Sequence, residues 1–287
     1  MSRIRLLQAG GARKPLYIFP GIGGALSEFA DLARRLSRDR SVYGVKLAGT
    51  LGECEPLREM QKLASLHAAD IRTVQREGPY FLFGYSFGGA LAFEVARELQ
   101  ALGGRVGLVV LADSPAPGYP EFPPALVRAG AHLAKLFKLG HRGRIAYLKA
   151  RVERRVGVAR RMLGMEEPPP VEAPVTHAAL HPSDEPPIER RVLNALDEAY
   201  HYYVPTPLAT DVLVLSAENT PDLPAMKFDD ALLGWGPVLR GRIIQCQTPG
   251  NHFDLFAPQH LEVLVQHVRA GLTQAERSYP SLEFAYA

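Results

Sequence analysis

Cysteine is nearly missing. Cys54 and Cys246 are the only two in 287 residues, far apart and without metal-ligand spacing. That excludes a disulfide scaffold and a cysteine-based metal centre, and it points to reduced thiols in a cytoplasmic protein. No apolar run approaches the ~20 residues of a membrane-spanning helix. The N-terminal stretch from Met1 to Gly11 is too short and too polar for a secretory signal. There is no internal repeat. The glycine loop Pro20-Gly21-Ile22-Gly23-Gly24 lacks a following Gly-Lys-Ser/Thr and lacks the G-x-G-x-x-G spacing, so neither a phosphate loop nor a dinucleotide fingerprint is present.

What is present is ample apolar material, 47% hydrophobic against 22% charged, enough for one large core with an insertion. Strand patterns fall at Leu16–Phe19, Val42–Leu47, Tyr80–Phe83, Val106–Leu111, Asp211–Ser216 and Arg242–Gln247. Helix patterns fall at Ser27–Leu36, Glu55–Gln75, Ser86–Leu102 and Pro258–Leu272. This alternation predicts an α/β fold with a mostly parallel sheet and right-handed crossovers. Between about Pro115 and Pro207 no core strand is visible, only helical and proline-rich sequence. The expected organisation is a leader over 1–14, a core over 15–114 and 208–274, a helical lid over 115–207, and a loose tail over 275–287.

The most informative stretch runs from Tyr80 to Phe93. An apolar run stops at Gly84, a Ser sits in Gly84-Tyr85-Ser86-Phe87-Gly88, and a helical pattern starts at once behind it. This is the form of a nucleophile elbow, where a strained strand-to-helix turn presents a Ser hydroxyl and glycines admit the neighbouring backbone. The helix N-terminus directs positive potential toward that hydroxyl.

A Ser nucleophile needs a base. Among nine histidines, His252 alone stands at a strand exit, after Arg242–Gln247 and just before the last helix. His67 lies on the apolar side of a helix pattern and reads as a packed residue. The base needs a carboxylate to orient it. Asp113 ends the strand after the elbow helix, while Glu218 and Asp222 follow the next one; chain order allows all three, and Asp113 sits at the sharper strand end. The oxyanion donors expected are the backbone N–H groups of Phe87, directly after the nucleophile, and Ile22, in the first glycine loop.

Charge is uneven. Between Ala125 and Met162 eleven basic residues face one acid, a net of +10, leaving 22 basic and 29 acidic residues elsewhere, a net of −7. A solvated helical face is the plain reading of this segment. An amphipathic run of Leu133, Leu136, Phe137 and Leu139 beside Lys135 and Lys138 also fits a membrane surface, though less well. Nothing resembles a nucleic-acid recognition module.

Four segments together carry a resemblance: Phe19–Gly24, Glu77–Gly89, Leu111–Pro117 and Pro249–Phe253. They resemble the type I thioesterase domains that end nonribosomal peptide synthetases and polyketide synthases, over roughly Leu6 to Leu272 and least in the lid. The resemblance implies an α/β-hydrolase fold with a helical lid and a triad of Ser86, Asp113 and His252. It implies oxyanion donors at Ile22 and Phe87, and it favours Asp113 over Glu218. It implies a substrate held on the phosphopantetheine of a carrier protein, no cofactor of the enzyme's own, and release of the chain by hydrolysis or macrocyclisation. A free-standing editing thioesterase, a carboxylester hydrolase or lipase, and a non-catalytic hydrolase-fold binder stay open as alternatives. The basic segment would suit an acidic carrier domain, with Arg151, Arg154 and Arg155 as docking residues. Reversing these three charges is expected to weaken turnover of a carrier-bound substrate while leaving a small soluble thioester unaffected. Unchanged rates on both would remove the docking reading.

Overall fold

A computed structural model describes residues 2–119, 188–219 and 230–278. Six strands form one sheet in the order β2-β1-β3-β4-β5-β6. They are β1 (Ile4–Phe19), β2 (Arg40–Val45), β3 (Tyr80–Tyr85), β4 (Val106–Ala112), β5 (Val212–Asn219) and β6 (Ile243–Asn251). Pairing is parallel from β1 through β3, β4 and β5 to β6. The helices are α1 (Ala30–Leu36), α2 (Met60–Val74), α3 (Phe87–Ala101), α4 (Arg190–His201) and α5 (Pro258–Arg277). β3 and β4 are buried along their whole length, as expected of central strands covered on both faces. One apolar layer joins α2, α3 and α4 to the sheet, and a second joins α1 and α5 to its other face. All the described residues fall in one compact unit.

Boundaries shift at several elements, α2 starting at Met60 and β6 running on to Asn251, and three differences from the sequence pattern shape the frame. Residues 4–14, read as a leader, are strand. β1 and β2 are paired antiparallel at the N-terminal end, Ile4 opposite Val45 and Arg5 opposite Gly44. After irregular register through Gln8, Ala12 and Arg13, the strand meets the same partners again: Val42 is opposite both Gln8 and Leu16, and Gly44 opposite both Arg5 and Ile18. β1 therefore doubles back around β2. The bend passes so close to the start of β2 that a Cβ on Gly10 would lie 2.1 Å from the Arg40 carbonyl oxygen. Only glycine fits there, which is why the polar Gly10-Gly11 sequence masks a strand. The arm is secured by Arg3, whose guanidinium donates to both carboxylate oxygens of Asp70 at 2.7 and 2.9 Å.

The last helix also outruns the pattern, ending at Arg277 rather than Leu272. Its final turn carries Glu276, which accepts from Arg13 at 2.6 Å and from Arg40 at 2.7 Å. Arg40 is 2% exposed and lies over the Phe81 ring at 5.3 Å, so its charge needs that carboxylate. The third difference is α4, read as lid. Its Val192, Leu196 and Ala199, with Tyr203 beyond it, are buried in the same apolar layer as α2 and α3. Residues 120–187 of the expected lid, including Arg151, Arg154 and Arg155, lie outside the described residues.

His67, on α2, is fully buried with both ring nitrogens unpaired. It packs edge-on against Phe19 at 6.2 Å, and the nearest Asp70 oxygen stands 3.7 Å from Nδ1, too far for a hydrogen bond. Burial lowers its pKa below the ordinary value. The folded state therefore binds a proton at His67 less readily than the unfolded chain does. Its contribution is intact above the unfolded pKa of about 6.5 and is lost as pH falls below it. Unfolding stability of the wild type should decline as pH falls below about 6.5, by up to about 1.4 kcal/mol per pH unit. His67→Leu should flatten that decline in denaturant titrations at several pH values. An equally steep decline in the variant would place the linkage elsewhere.

Candidate active site

The elbow is built where β3 hands over to α3. Ser86 has φ 53° and ψ −125°, a conformation that a non-glycine residue adopts only when its surroundings enforce it. Backbone bonds hold it on both sides: its N–H donates to the Ala112 carbonyl at 3.1 Å, and its carbonyl accepts from Gly89 N–H at 3.0 Å. The helix crosses β1 so tightly that a Cβ on Gly88 would lie 2.3 Å from the Phe19 carbonyl oxygen. Phe87 opens α3, so its N–H belongs to the unpaired first turn of the helix.

Asp113 follows β4 directly, with φ 42°. Its N–H donates to the Leu215 carbonyl at 2.7 Å, which fixes the turn against β5. One carboxylate oxygen, Oδ1, accepts from Ala217 N–H at 2.9 Å. The other, Oδ2, lies 2.6 Å from His252 Nδ1. A carboxylate can only accept, so Nδ1 carries the proton and Nε2 keeps its lone pair. His252 enters from the loop after β6. That loop is shaped by Asp254, which accepts from Asn251 N–H at 2.5 Å and from Asn251 Nδ2 at 2.8 Å, and by Asn251 Oδ1, which accepts from Phe253 N–H at 2.8 Å.

Ser86, Asp113 and His252 line one cavity of about 600 Å³, and Ile22 and Phe87 line it with them. Four loops or turns and the first residue of α3 thus deliver to one space the residues that the sequence pattern nominated. Glu218, the competing acid, lines the same cavity but is exposed at the end of β5, and the imidazole bonds to Asp113 instead. Asp222 lies outside the described residues. An arrangement of this kind can take a proton from a hydroxyl and stabilise the imidazolium that results.

Several residues that the sequence pattern did not nominate also shape the site. Ser114 Oγ donates to the Ser86 carbonyl at 2.6 Å, and its own carbonyl accepts from Trp235 Nε1 at 2.7 Å. The residue after Asp113 is thereby tied to the backbone of Ser86. Tyr200, on α4, lines the cavity and donates to the Pro115 carbonyl at 2.7 Å. These contacts join residues 28 to 121 positions apart, a range at which no local pattern exists.

A sequence profile described as Thioesterase domain matches residues 14–272. The chain belongs to the thioesterase domain family. Its sheet and flanking helices are those of the α/β-hydrolase superfamily. Among curated relatives, this thioesterase domain is 36% identical over 109 residues to polyketide synthase PksR of Bacillus subtilis (strain 168), which is 38% of this chain and 4% of that protein. It is 36% identical over 121 residues to indigoidine synthase of Dickeya dadantii (strain 3937), 42% of this chain and 8% of that protein. The thioesterase domain thus matches a small fraction of each relative's length. Among solved structures it resembles RedJ, a thioesterase from the prodiginine biosynthetic pathway in Streptomyces coelicolor, at TM-score 0.58 and 25% identity over 90% of this chain and 85% of that one. It shares its fold with the NocB thioesterase domain, solved as a covalent complex with a fluorophosphonate nocardicin G analog, at TM-score 0.56 and 21% identity over 94% and 98%.

The closeness of Ser114 to the elbow helix gives a direct test of this packing. A Cβ on Gly89 would fall 2.2 Å from Ser114 Oγ and 2.4 Å from Ser114 Cβ. In an open helix Gly→Ala adds about 1 kcal/mol of stability. Here Gly89→Ala should instead remove roughly 2 kcal/mol or more through overpacking. The Gly89→Ala/Ser114→Gly double variant should recover part of the loss, and thermal unfolding of the four proteins closes the cycle. Additive losses would mean that the two side chains do not compete for the same space.

Proposed function

We propose that this domain releases an acyl, polyketide or peptidyl chain from a phosphopantetheine carrier through an acyl-enzyme on Ser86. The observation that supports it best is the 2.6 Å pairing of His252 Nδ1 with Asp113 Oδ2 beside a strained Ser in the same cavity. His252 Nε2 takes the Ser86 proton as Oγ attacks the thioester carbonyl. The oxyanion that forms is received by the N–H groups of Phe87 and Ile22, with the N-terminus of α3 adding positive potential. Collapse of this intermediate expels the pantetheine thiolate, which takes the proton from His252. Asp113 keeps the imidazole in the productive tautomer and stabilises its charged form.

The second half-reaction repeats the first with a new nucleophile. His252 deprotonates water, giving a free acid, or an internal amine or hydroxyl of the chain, giving a ring. Neither half-reaction requires a bound cofactor. The carrier is the partner this chemistry implies, and the basic segment around Arg151, Arg154 and Arg155 is the candidate for holding it. The names of the relatives, a polyketide synthase and indigoidine synthase, suit a role within such assembly lines.

A fluorophosphonate probe should label Ser86, and Ser86→Ala should abolish the labelling. Asp113→Asn keeps the size of the side chain but offers His252 the wrong hydrogen-bonding partner. It should slow labelling and thioester turnover by about 10³- to 10⁴-fold while the protein stays folded. A folded Asp113→Asn variant with near wild-type rates would remove Asp113 from the triad. Comparing an acyl-pantetheine thioester with its oxygen ester then separates a thioesterase from a carboxylester hydrolase by the ratio of kcat/KM.

A further inference from the structure

The first of the two variable residues of the elbow motif touches His252. Tyr85 is the last residue of β3 and precedes Ser86. Its ring stacks on the His252 imidazole, with centroids 5.1 Å apart and planes inclined at 28°. Its hydroxyl donates to the His252 backbone carbonyl at 2.5 Å. The phenol is itself immobilised. Tyr85 is only 5% exposed, meeting Phe256 edge-on at 4.9 Å and Phe29 at 6.3 Å. Burial raises its pKa well above the ordinary range, so the hydroxyl stays a donor.

Asp113 fixes the imidazole at one atom. A single hydrogen bond at Nδ1 leaves the ring free to turn about the Nδ1···Oδ2 line and leaves its loop free to shift. Tyr85 removes both freedoms. Its stacked ring restricts the turn, and its hydroxyl pins the backbone from which the imidazole hangs. A phenylalanine would supply only the first function and an aliphatic residue neither. The clamp is also one peptide bond from the nucleophile, so a displacement of the elbow carries the base along with it.

We propose that Tyr85 is a positioning residue that sets the orientation and height of His252 relative to Ser86. This rests on the reading of Ser86 as nucleophile and His252 as base. A buried tyrosine that merely packed the core would affect only the fraction of folded protein. A positioning residue affects the rate per folded molecule, because a small misplacement of a base lowers the rate steeply. It does so in kcat rather than KM, since Tyr85 does not line the acyl cavity.

The experiment measures, for folded wild type, Tyr85→Phe, Tyr85→Leu, Ser86→Ala and His252→Ala, the rate of fluorophosphonate labelling together with kcat and KM on a soluble acyl-pantetheine thioester. Tyr85→Phe keeps the stacked ring and should lose kcat and labelling rate together by roughly three- to tenfold, the rate equivalent of one hydrogen bond. KM should be unchanged. Tyr85→Leu should lose about a hundredfold in both rates. Should Tyr85→Leu fail to fold, Tyr85→Phe alone decides. Wild-type kcat and labelling in folded Tyr85→Phe, or a loss confined to KM, overturns the assignment. Wild-type protein that is not labelled, or labelling that persists in Ser86→Ala or is unaffected in His252→Ala, overturns the reading beneath it instead.

Discussion

Everything distinctive about this chain meets at the hydrogen bond between Asp113 and His252, 2.6 Å long and made across 139 residues of sequence. Neither partner stands on a regular element. Asp113 sits in a left-handed turn after β4, and His252 sits in a loop after β6. The two loops can face each other because β4, β5 and β6 are parallel neighbours, which brings their C-terminal ends to one edge of the sheet. β5 lies between them and holds Asp113 at two points, taking its N–H at Leu215 and offering Ala217 N–H to its carboxylate. A slip in this register would move Asp113 away from His252.

The strain at Ser86 is the second constraint, and it is sustained by packing on every side. Gly88 lets the backbone of β1 approach, Gly89 leaves room for Ser114, and Ser114 in turn binds the Ser86 carbonyl. Tyr85 holds the residue opposite. Ser86, Asp113 and His252 are thus supported by contacts among their immediate chain neighbours, so the candidate site and its scaffold are the same set of residues. This is how a marginally stable fold holds reacting groups to within a fraction of an ångström.

The residues that meet in the cavity are more legible in the sequence than the frame is. The elbow shows itself locally, because Gly-x-Ser-x-Gly between an apolar strand and a helix has few other uses. Asp113 and His252 were visible as polar residues at the ends of strand patterns. The N-terminal arm was not, because its outward-facing residues are polar and its turn needs Gly10, so composition suggested a linker. The end of α5 has no local signal, because Glu276 serves Arg13 and Arg40, partners more than 230 residues away. α4 reads as lid in the sequence because position in the chain does not tell which amphipathic helix docks on the core. Tyr85 was unreadable as a clamp, since a motif marks that position as variable and its partner lies 167 residues on.

The central claim is that Ser86 carries the acyl chain covalently. Mass spectrometry of the protein mixed with a panel of acyl-pantetheine thioesters tests it most directly. The account predicts a mass increase equal to the acyl group, located on the peptide containing Ser86 and absent from Ser86→Ala, with products heavier by one water when an acid is released and not when a ring forms. Thioester turnover that leaves no adduct on Ser86 and survives in Ser86→Ala would contradict it.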